Sequence, residues 1–422
     1  MTEIIEHKCP CCGAALKFDV GTQQVRCEFC SSSYDPGDLV DDGMFVEMVP
    51  DDIALADNGG EPDSSSYNQY VCDSCGGEIF TEPTTSATQC PFCGNPVMLK
   101  GRLSGILMPD LIIPFKKDKE SALRSLEEHC NKKRFVPKGF RDDRKLEEVK
   151  GLYVPYWVYD AEVHADLEYL GVKENLLVPG KQKDVVERKY YRVKREGRMA
   201  FDHIPADASS KMPDDLMESI EPFDHSDAVG FNTSYLSGFV ADRYDVEQEE
   251  AAKRVRHRIS EEIEDRFKET VQGFDEVRLK KSDIETVSSN VDYILYPVWM
   301  FHLSWAGRGY TFAMNGQTGK TVGNLPVDSM KLGALATIIF IIMTICAFYA
   351  YGPYPFDEDF MSYMVTAMII NGAVASFVHF YFKTDLESVE SKHGSGEYYR
   401  EGSMEMEESD EEFLYRKIEM AG

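Results

Sequence analysis

The sequence lacks several features that would place it in a common class of enzyme or secreted protein. No apolar segment follows the first few residues, so we expect no cleavable signal peptide. Residues 31–71 contain no lysine or arginine but ten carboxylates. A net charge of -28 disfavours nucleic acid and anionic headgroups as partners over most of the surface. Eleven cysteines without a signal peptide favour metal binding or free thiols over disulfides.

A phosphate-binding loop is also missing. Residues 315–321 read Asn-Gly-Gln-Thr-Gly-Lys-Thr, but the loop G-x-x-x-x-G-K-[ST] requires glycine where Met314 stands. We interpret this segment as a turn between two strands of a hairpin. No nucleophile–base pair, open metal site or carboxylate pair is identifiable elsewhere, so we predict that the protein is not an enzyme.

Two long apolar runs near the C-terminus contain almost no charge. Residues 332–351 have no charged side chain, and residues 360–382 have only His379. About 20 apolar residues in a helix cross a hydrocarbon core about 30 Å thick. The connector at 352–359 is acidic and contains two prolines, which break helices. We therefore predict a transmembrane helical hairpin at 332–382, and the alternative is a pair of buried helices in a soluble core.

Charges beside the hairpin predict its orientation. Lys320, Lys331 and Lys383 flank the two spans, whereas the connector carries only negative charge. The positive-inside rule then predicts a two-pass protein of the cell membrane with both termini in the cytoplasm. The segment 383–422 is predicted to be an acidic cytoplasmic tail, disordered unless it folds on a partner.

Eight of the cysteines form two equal sets. Each set has the spacing C-x2-C-x14-C-x2-C, and the second set is displaced from the first by 63 residues. Each C-x-x-C turn directs two thiolates at one ion, and two turns complete the tetrahedral shell that zinc prefers. The alternative is eight unrelated thiols. We predict two structural zinc ions, with no open position for catalysis, bound by Cys9, Cys12, Cys27, Cys30, Cys72, Cys75, Cys90 and Cys93.

These cysteine sets resemble the zinc ribbons of transcription-factor-IIB-type and rubredoxin-like modules. The resemblance implies ribbons at 1–34 and 67–100, and the acidic segment 35–66 between them is predicted to be a linker. Such ribbons occur in nucleic-acid machinery and in protein adaptors, so the fold by itself does not assign a function.

The middle of the chain, residues 105–326, has a globular composition. Residues 118–134 and 246–271 have helical apolar stripes, and each is followed by a strand-like run rich in aromatic residues. The runs at 151–157 and 293–299 share a sequence pattern of tyrosine, proline and tryptophan. We predict a duplicated α+β domain, so that the fold class is α+β multidomain.

Two further motifs in this domain are candidates for binding. Residues 181–198 contain eight bases and three acids, which suits RNA or anionic lipid, although a solvated sheet face is the alternative. The tripeptide Phe-Asp-His occurs at 201–203 and again at 223–225. It is a possible metal site, but hydrogen bonding within loops is the favoured interpretation.

The complete order of segments resembles a group of bacterial membrane proteins with N-terminal TFIIB-type ribbons, sometimes labelled as the primosomal replication-restart helicase. The missing phosphate-binding loop argues against the helicase label. The resemblance implies a non-enzymatic adaptor at the cytoplasmic membrane that docks cytosolic protein partners, some relatives being linked to envelope-stress scaffolds. The alternative hypothesis is a membrane-tethered nucleic-acid-binding protein that uses the ribbons and residues 181–198.

Overall fold

The computed structural model describes residues 9–14, 16–39, 68–71, 78–81, 98–102, 108–143, 145–178, 184–351, 358–384, 386, 389 and 395–421. Within these ranges the protein is a mixed α+β structure. The strands are β1 Leu16–Asp19, β2 Gln24–Cys27, β3 Ser33–Tyr34, β4 Asn68–Val71, β5 Glu78–Thr81, β6 Met98–Arg102, β7 Leu111–Ile112, β8 Lys145–Val178, β9 Asp184–Asp207, β10 Val229–Gly230, β11 Val240–Asp242, β12 Glu276–Trp305, β13 Arg308–Asn315, β14 Thr321–Val322 and β15 Glu405–Ala421. The helices are α1 Lys119–Lys132, α2 Lys138–Asp143, α3 Asp214–Ser219, α4 Gln248–Glu269, α5 Ser329–Tyr351 and α6 Glu358–Thr384.

Four long antiparallel strands, in the order β12, β8, β9 and β15, form the centre of the fold. The strand β8 contains 34 residues, and at about 3.3 Å per residue it extends roughly 110 Å. Its alternation gives the sheet two unlike faces: Val163, Ala165 and Leu167 are buried, whereas the residues between them are charged or polar and partly exposed. Along this stretch one face therefore belongs to the core and the other carries charge in solvent, whereas residues 151–159 are buried on both faces.

Short strands extend this sheet at one end. β7 pairs with β12 and β10, β13 pairs with β12 and β14, and β11 joins β8 in parallel. The antiparallel strands β4, β5 and β6 continue the sheet beyond β11. The strand-like runs at 151–157 and 293–299 are observed as strands, but each is only part of a much longer one, β8 and β12 respectively.

Helix α4 covers the apolar face of the long sheet. Its predicted stripe is confirmed, because Val255, Ile259, Ile263 and Phe267 are all buried. These side chains belong to the same apolar cluster as the buried residues of β8 and β9. One apolar core of the domain therefore lies between this helix and the sheet, and a second cluster contains the alternate residues Leu152, Val154 and Tyr156 of β8.

The two aromatic runs with the shared sequence pattern, 151–157 and 293–299, are neighbours in space. They pair antiparallel in β8 and β12, with Tyr153 opposite Pro297 and Pro155 opposite Leu295. This register places the matching residues of the two runs symmetrically about the central pair, Val154 and Tyr296. A local two-fold relation therefore connects the two runs.

The tryptophans of the two runs follow the same relation. The indole N–H of Trp157 donates to the carbonyl of Val246, and that of Trp299 donates to the carbonyl of Lys117, each at 2.8 Å. Each acceptor lies one residue before the N-cap of a helix, α4 in the first case and α1 in the second. In the sequence α1 precedes the run in β8, and α4 precedes the run in β12. Each tryptophan thus contacts the start of the helix that belongs to the other pair, and the predicted duplication of residues 105–326 would account for this symmetry.

Helices α5 and α6 are long and apolar enough to span a membrane. Their apolar windows have mean hydropathies of 2.4 and 1.6, and only 6% and 17% of these windows are buried. A core helix of a soluble protein would be mostly buried, so these exposures count against the alternative given above. Between the helices, the amide of Asn371 donates to the hydroxyl of Thr344 at 3.2 Å.

Both ends of this helix pair contact the α+β domain at one place. Before α5, the amide of Asp328 donates to the carbonyl of Phe135 at 2.7 Å. At the end of α6, Phe382 packs edge-on against the ring of Phe135 with centroids 4.9 Å apart. The chain therefore leaves the domain and returns to the same point.

The prediction of a disordered acidic tail is wrong for the described residues 395–421. After α6 the chain docks Tyr398 in the core and then forms strand β15, which pairs with β9 over nearly its whole length. The reason is charge: β9 contains residues 184–198 of the basic segment 181–198, and the tail supplies the opposite charges. The acidic composition that suggested disorder is complementary to a strand elsewhere in the chain.

Candidate metal centre

The first cysteine set is built from two turns with the same hydrogen bonds. The carbonyl of Cys9 accepts from the amide of Gly13 at 2.8 Å, and the carbonyl of Cys27 accepts from the amide of Ser31 at 3.0 Å. Gly13 and Ser31 occupy equivalent places and both have positive φ, 72° and 60°. A tight turn that aims two thiols at one point needs this left-handed residue, which glycine adopts most easily. The hairpin of β1 and β2 separates the two turns by the 14 residues seen in the sequence.

The four sulfur atoms form one compact group. Sγ of Cys9 lies 3.5 Å from that of Cys30, Sγ of Cys12 lies 3.5 Å from that of Cys27, and all four lie within 4.8 Å of one another. Zinc with four thiolates at about 2.3 Å has sulfurs about 3.8 Å apart. All four thiols are free, and 3.5 Å is much longer than a disulfide bond of about 2.05 Å. The donor set therefore fits a tetrahedral metal ion.

Neighbouring donors favour the ionised form of two of these thiols. The hydroxyl and amide of Ser32 lower the pKa of Cys30 to about 6, and the hydroxyl of Tyr34 lowers the pKa of Cys9. The pKa of Cys12 is raised to about 12: the amide of Ala14 stabilises its thiolate, but burial and the hydrogen bonds with neighbouring thiols outweigh this. Four thiols at this spacing cannot all ionise without a cation, so metal binding would release protons here.

The hairpin that carries this cysteine cluster is docked on the α+β domain. The amide of Phe18 donates to the carbonyl of Ser237 at 3.0 Å, and the ring of Phe18 packs on that of Tyr235. The chain stays packed past the predicted ribbon boundary at residue 34, because Leu39 is also buried. Between Cys27 and Cys30 of the second turn, the side chain of Phe29 is 82% exposed.

The second predicted cysteine set lies outside the described residues, so Cys72, Cys75, Cys90 and Cys93 stay a prediction from spacing. The strands beside them, β4 to β6, are described and belong to the main sheet. Cys11, the extra cysteine of the first turn, is exposed and is not one of the four clustered thiols.

Comparison with known proteins places the chain in a family. No family model matches the sequence, and no solved structure matches it. A protein of Bacillus subtilis (strain 168), named uncharacterized protein YdjG, is 31% identical over 333 residues, which are 78% of this chain and 93% of the relative. The chain belongs to the YdjG family.

In this family member, the segment that resembled a phosphate-binding loop is a turn. Strands β13 and β14 pair antiparallel on either side of it, which confirms the predicted hairpin. The amide of Asn315 donates to the carbonyls of Ile220 and Pro222, at 3.1 and 3.0 Å. The backbone amides of Gln317 and Thr318 donate to the side chain of Asn315, each at 2.9 Å. The polar side chains of the turn thus hold a neighbouring loop.

The two Phe-Asp-His tripeptides meet in space, which sequence spacing did not show. The rings of His203 and His225 stack with centroids 4.4 Å apart. Burial is the larger cause and the neighbouring His203 the smaller cause of a lowered pKa of His225, about 4. Asp224 accepts from the amide of Ser226 at 2.9 Å, and Asp202 accepts from the guanidinium of Arg400. The predicted hydrogen bonding within a loop is confirmed for Asp224, whereas Asp202 lies in strand β9 and pairs with Arg400 of the segment before β15.

The basic segment of this YdjG-family chain is covered by the acidic tail. Arg192 pairs with Glu412 at 3.0 Å, Lys194 with Glu408 at 2.8 Å, and Arg198 with Glu407 at 2.9 Å. The pKa of Lys194 is raised because the carboxylates of Glu196 and then Glu408 accept from its ammonium group. These cations are already neutralised within the protein, which weakens the case for nucleic acid at this segment.

Proposed function

We propose that the protein is a membrane-anchored zinc-ribbon adaptor that docks a cytosolic protein partner through the ribbon. The ribbon, of TFIIB type, would hold zinc with Cys9, Cys12, Cys27 and Cys30, and the second cysteine set would hold another zinc ion. A closed set of four thiolates leaves no position for a substrate, so the metal would stabilise the fold and take no part in chemistry.

The exposed Phe29 carries this proposal. Its side chain is 82% exposed although it sits on a turn held from both sides by metal ligands. A large aromatic group on a rigid support binds a partner with little loss of conformational entropy, which is why aromatic side chains are enriched in interfaces. The sequence has a phenylalanine at the matching position of the second set, Phe92, between Cys90 and Cys93.

The anchor supports the same arrangement. Helices α5 and α6 expose apolar side chains. The start of α5 and the end of α6 both contact the domain that carries the ribbon. The flanking Lys331 and Lys383 would keep that domain on the cytoplasmic side of the membrane. Alkaline extraction should then leave the chain in the membrane pellet, and protease added outside intact cells should leave the ribbon uncleaved.

Site-specific photo-crosslinking in intact cells tests the docking. A photoreactive residue at position 29 should give discrete cross-linked protein bands that disappear when Cys12→Ser removes a metal ligand. Thr22, exposed at the far end of the same hairpin, provides the matched control position. Identical bands from positions 22 and 29, or bands at 29 that persist in Cys12→Ser, would contradict docking through the metal-held turn.

A further inference from the structure

A cluster of one histidine and two glutamates joins three adjacent strands on the charged face of the long sheet. His164 lies on β8, Glu196 on β9 and Glu407 on the tail strand β15. Nε2 of His164 lies 3.4 Å from a carboxylate oxygen of each glutamate. The three atoms all lie within 4.8 Å of one another.

The protein's own hydrogen bonding does not explain this geometry. A single ring nitrogen of neutral histidine carries one proton or one lone pair, so it can serve at most one of the two carboxylates. The distance of 3.4 Å is also longer than the usual 2.7–3.2 Å of an N–H···O bond. Two ligands of a tetrahedral zinc, each about 2.0–2.1 Å from the metal, are by contrast about 3.3 Å apart.

The remaining oxygen of each glutamate is already held by a base. The second carboxylate oxygen of Glu196 accepts from Nζ of Lys194 at 2.7 Å, and that of Glu407 lies 2.9 Å from Nε of Arg198. Bases in this position orient the carboxylates and leave one oxygen of each directed at the histidine. Such outer contacts are typical of metal sites.

An irregularity of the tail strand brings Glu407 to this face. The register between β15 and β9 shifts between Met406 and Glu408, so Glu407 is the extra residue of a β-bulge. Without the bulge, Glu407 would point away from the face that carries Glu408, because side chains alternate along a strand. Opposite the bulge is Gly197, where a Cβ would come within 2.3 Å of the carbonyl of Glu405.

We propose that His164, Glu196 and Glu407 bind a zinc ion that fastens the acidic tail strand to the body of the protein. The three side chains are each 26% to 41% exposed, so a water molecule can complete the tetrahedron. The ion joins residues 243 positions apart in the chain (164 and 407). Zinc binding is therefore coupled to pairing of β15 with β9, and the tail becomes harder to detach when the ion is present.

Zinc titration of the full-length protein in detergent, purified with its cysteine sites loaded, tests the proposal. Calorimetry should show one further zinc per chain, and His164→Gln or Glu407→Gln should each weaken this binding at least tenfold. The matched control is His257→Gln, since His257 also lies 3.4 Å from a carboxylate, that of Glu261, but is on helix α4 and does not belong to the cluster. Tryptophan fluorescence verifies that each variant is folded.

Hydrogen exchange measures the fastening. Added zinc should slow exchange of the amides of residues 405–421 in the wild-type protein and in His257→Gln, but not in His164→Gln or Glu407→Gln. Absence of further zinc uptake by the wild type, or uptake that both site variants retain, would refute the site. Uptake without slower exchange in the tail would refute the fastening role.

Discussion

Replacing Arg258 with methionine tests the account of how the chain is held after the membrane helices. The guanidinium of Arg258 donates to the carboxylate of Glu221 at 2.8 Å, and the hydroxyl of Tyr398 donates to the same carboxylate at 2.8 Å. Arg258, Glu221 and Tyr398 are only 4%, 1% and 7% exposed. Tyr398 belongs to the segment that follows α6, so this buried group joins that segment to helix α4.

The expected loss of stability follows from burial. Removing one partner of a buried ion pair leaves the other charge without compensation, which costs about 3–5 kcal/mol. For a domain of roughly 200 residues, each kcal/mol lowers the melting temperature by about 2–4 °C. We therefore expect Arg258→Met to lower the melting temperature by roughly 6–20 °C. Tyr398→Phe removes only a hydrogen bond to a charged group, about 1.5–3 kcal/mol, and should lower it less.

Thermal unfolding in detergent, followed by tryptophan fluorescence, provides the assay. All three tryptophans lie in β8 or β12, so the signal reports on the α+β domain. His257→Ala, at an exposed position next to Arg258 on the same helix, should change the melting temperature by no more than about 1–2 °C. If Arg258→Met behaved like this control, the buried group would not stabilise the domain and the reasoning would be refuted.

Three further predictions follow from other parts of the domain. Trp157→Phe and Trp299→Phe, which remove equivalent hydrogen bonds, should destabilise the domain by similar amounts, about 1–3 kcal/mol each in thermal unfolding; a large inequality would contradict the two-fold relation. Gly197→Ala should speed hydrogen exchange in β15, because the added Cβ meets the carbonyl of Glu405; unchanged exchange would contradict this close contact. Burial raises the pKa of Asp207 to about 7 from 3.8, so its contribution to stability is present below about pH 4 and is lost as pH rises through 7. Asp207→Asn should remove this fall, up to about 4 kcal/mol in denaturant titrations across pH 4–8; a parallel pH profile for variant and wild type would be the contrary result.

The candidate metal centre was predictable because its signal is local. The ligands Cys9, Cys12, Cys27 and Cys30 lie in two short turns joined by one hairpin, and the spacing of such turns is written directly in the sequence. The apolar stripe of α4 was predictable for the same reason, since helical periodicity is a property of a single segment. The exposure of Phe29 was not predictable, because it depends on which face of the ribbon packs against Tyr235 and Ser237.

The tail shows where composition misled the prediction. Residues 405–421 are acidic, and by themselves they would gain too little from burying apolar surface to fold. Their order comes from pairing with β9, more than 200 residues earlier, whose bases neutralise them. A charge count taken over each segment separately cannot show that two segments of opposite charge are partners.

The sequence by itself determined the spacing of Cys9, Cys12, Cys27 and Cys30, the two apolar helices and the apolar stripe of α4, because each depends on neighbouring residues within one segment. Only the tertiary structure decided which strands are neighbours and in what register. That register brought His164, Glu196 and Glu407 to one point, and the packing of helix α4 buried Arg258 together with Glu221. The physical reason is that contacts between distant segments depend on how the whole core packs, and a shift of one residue in a strand turns its side chains to the opposite face.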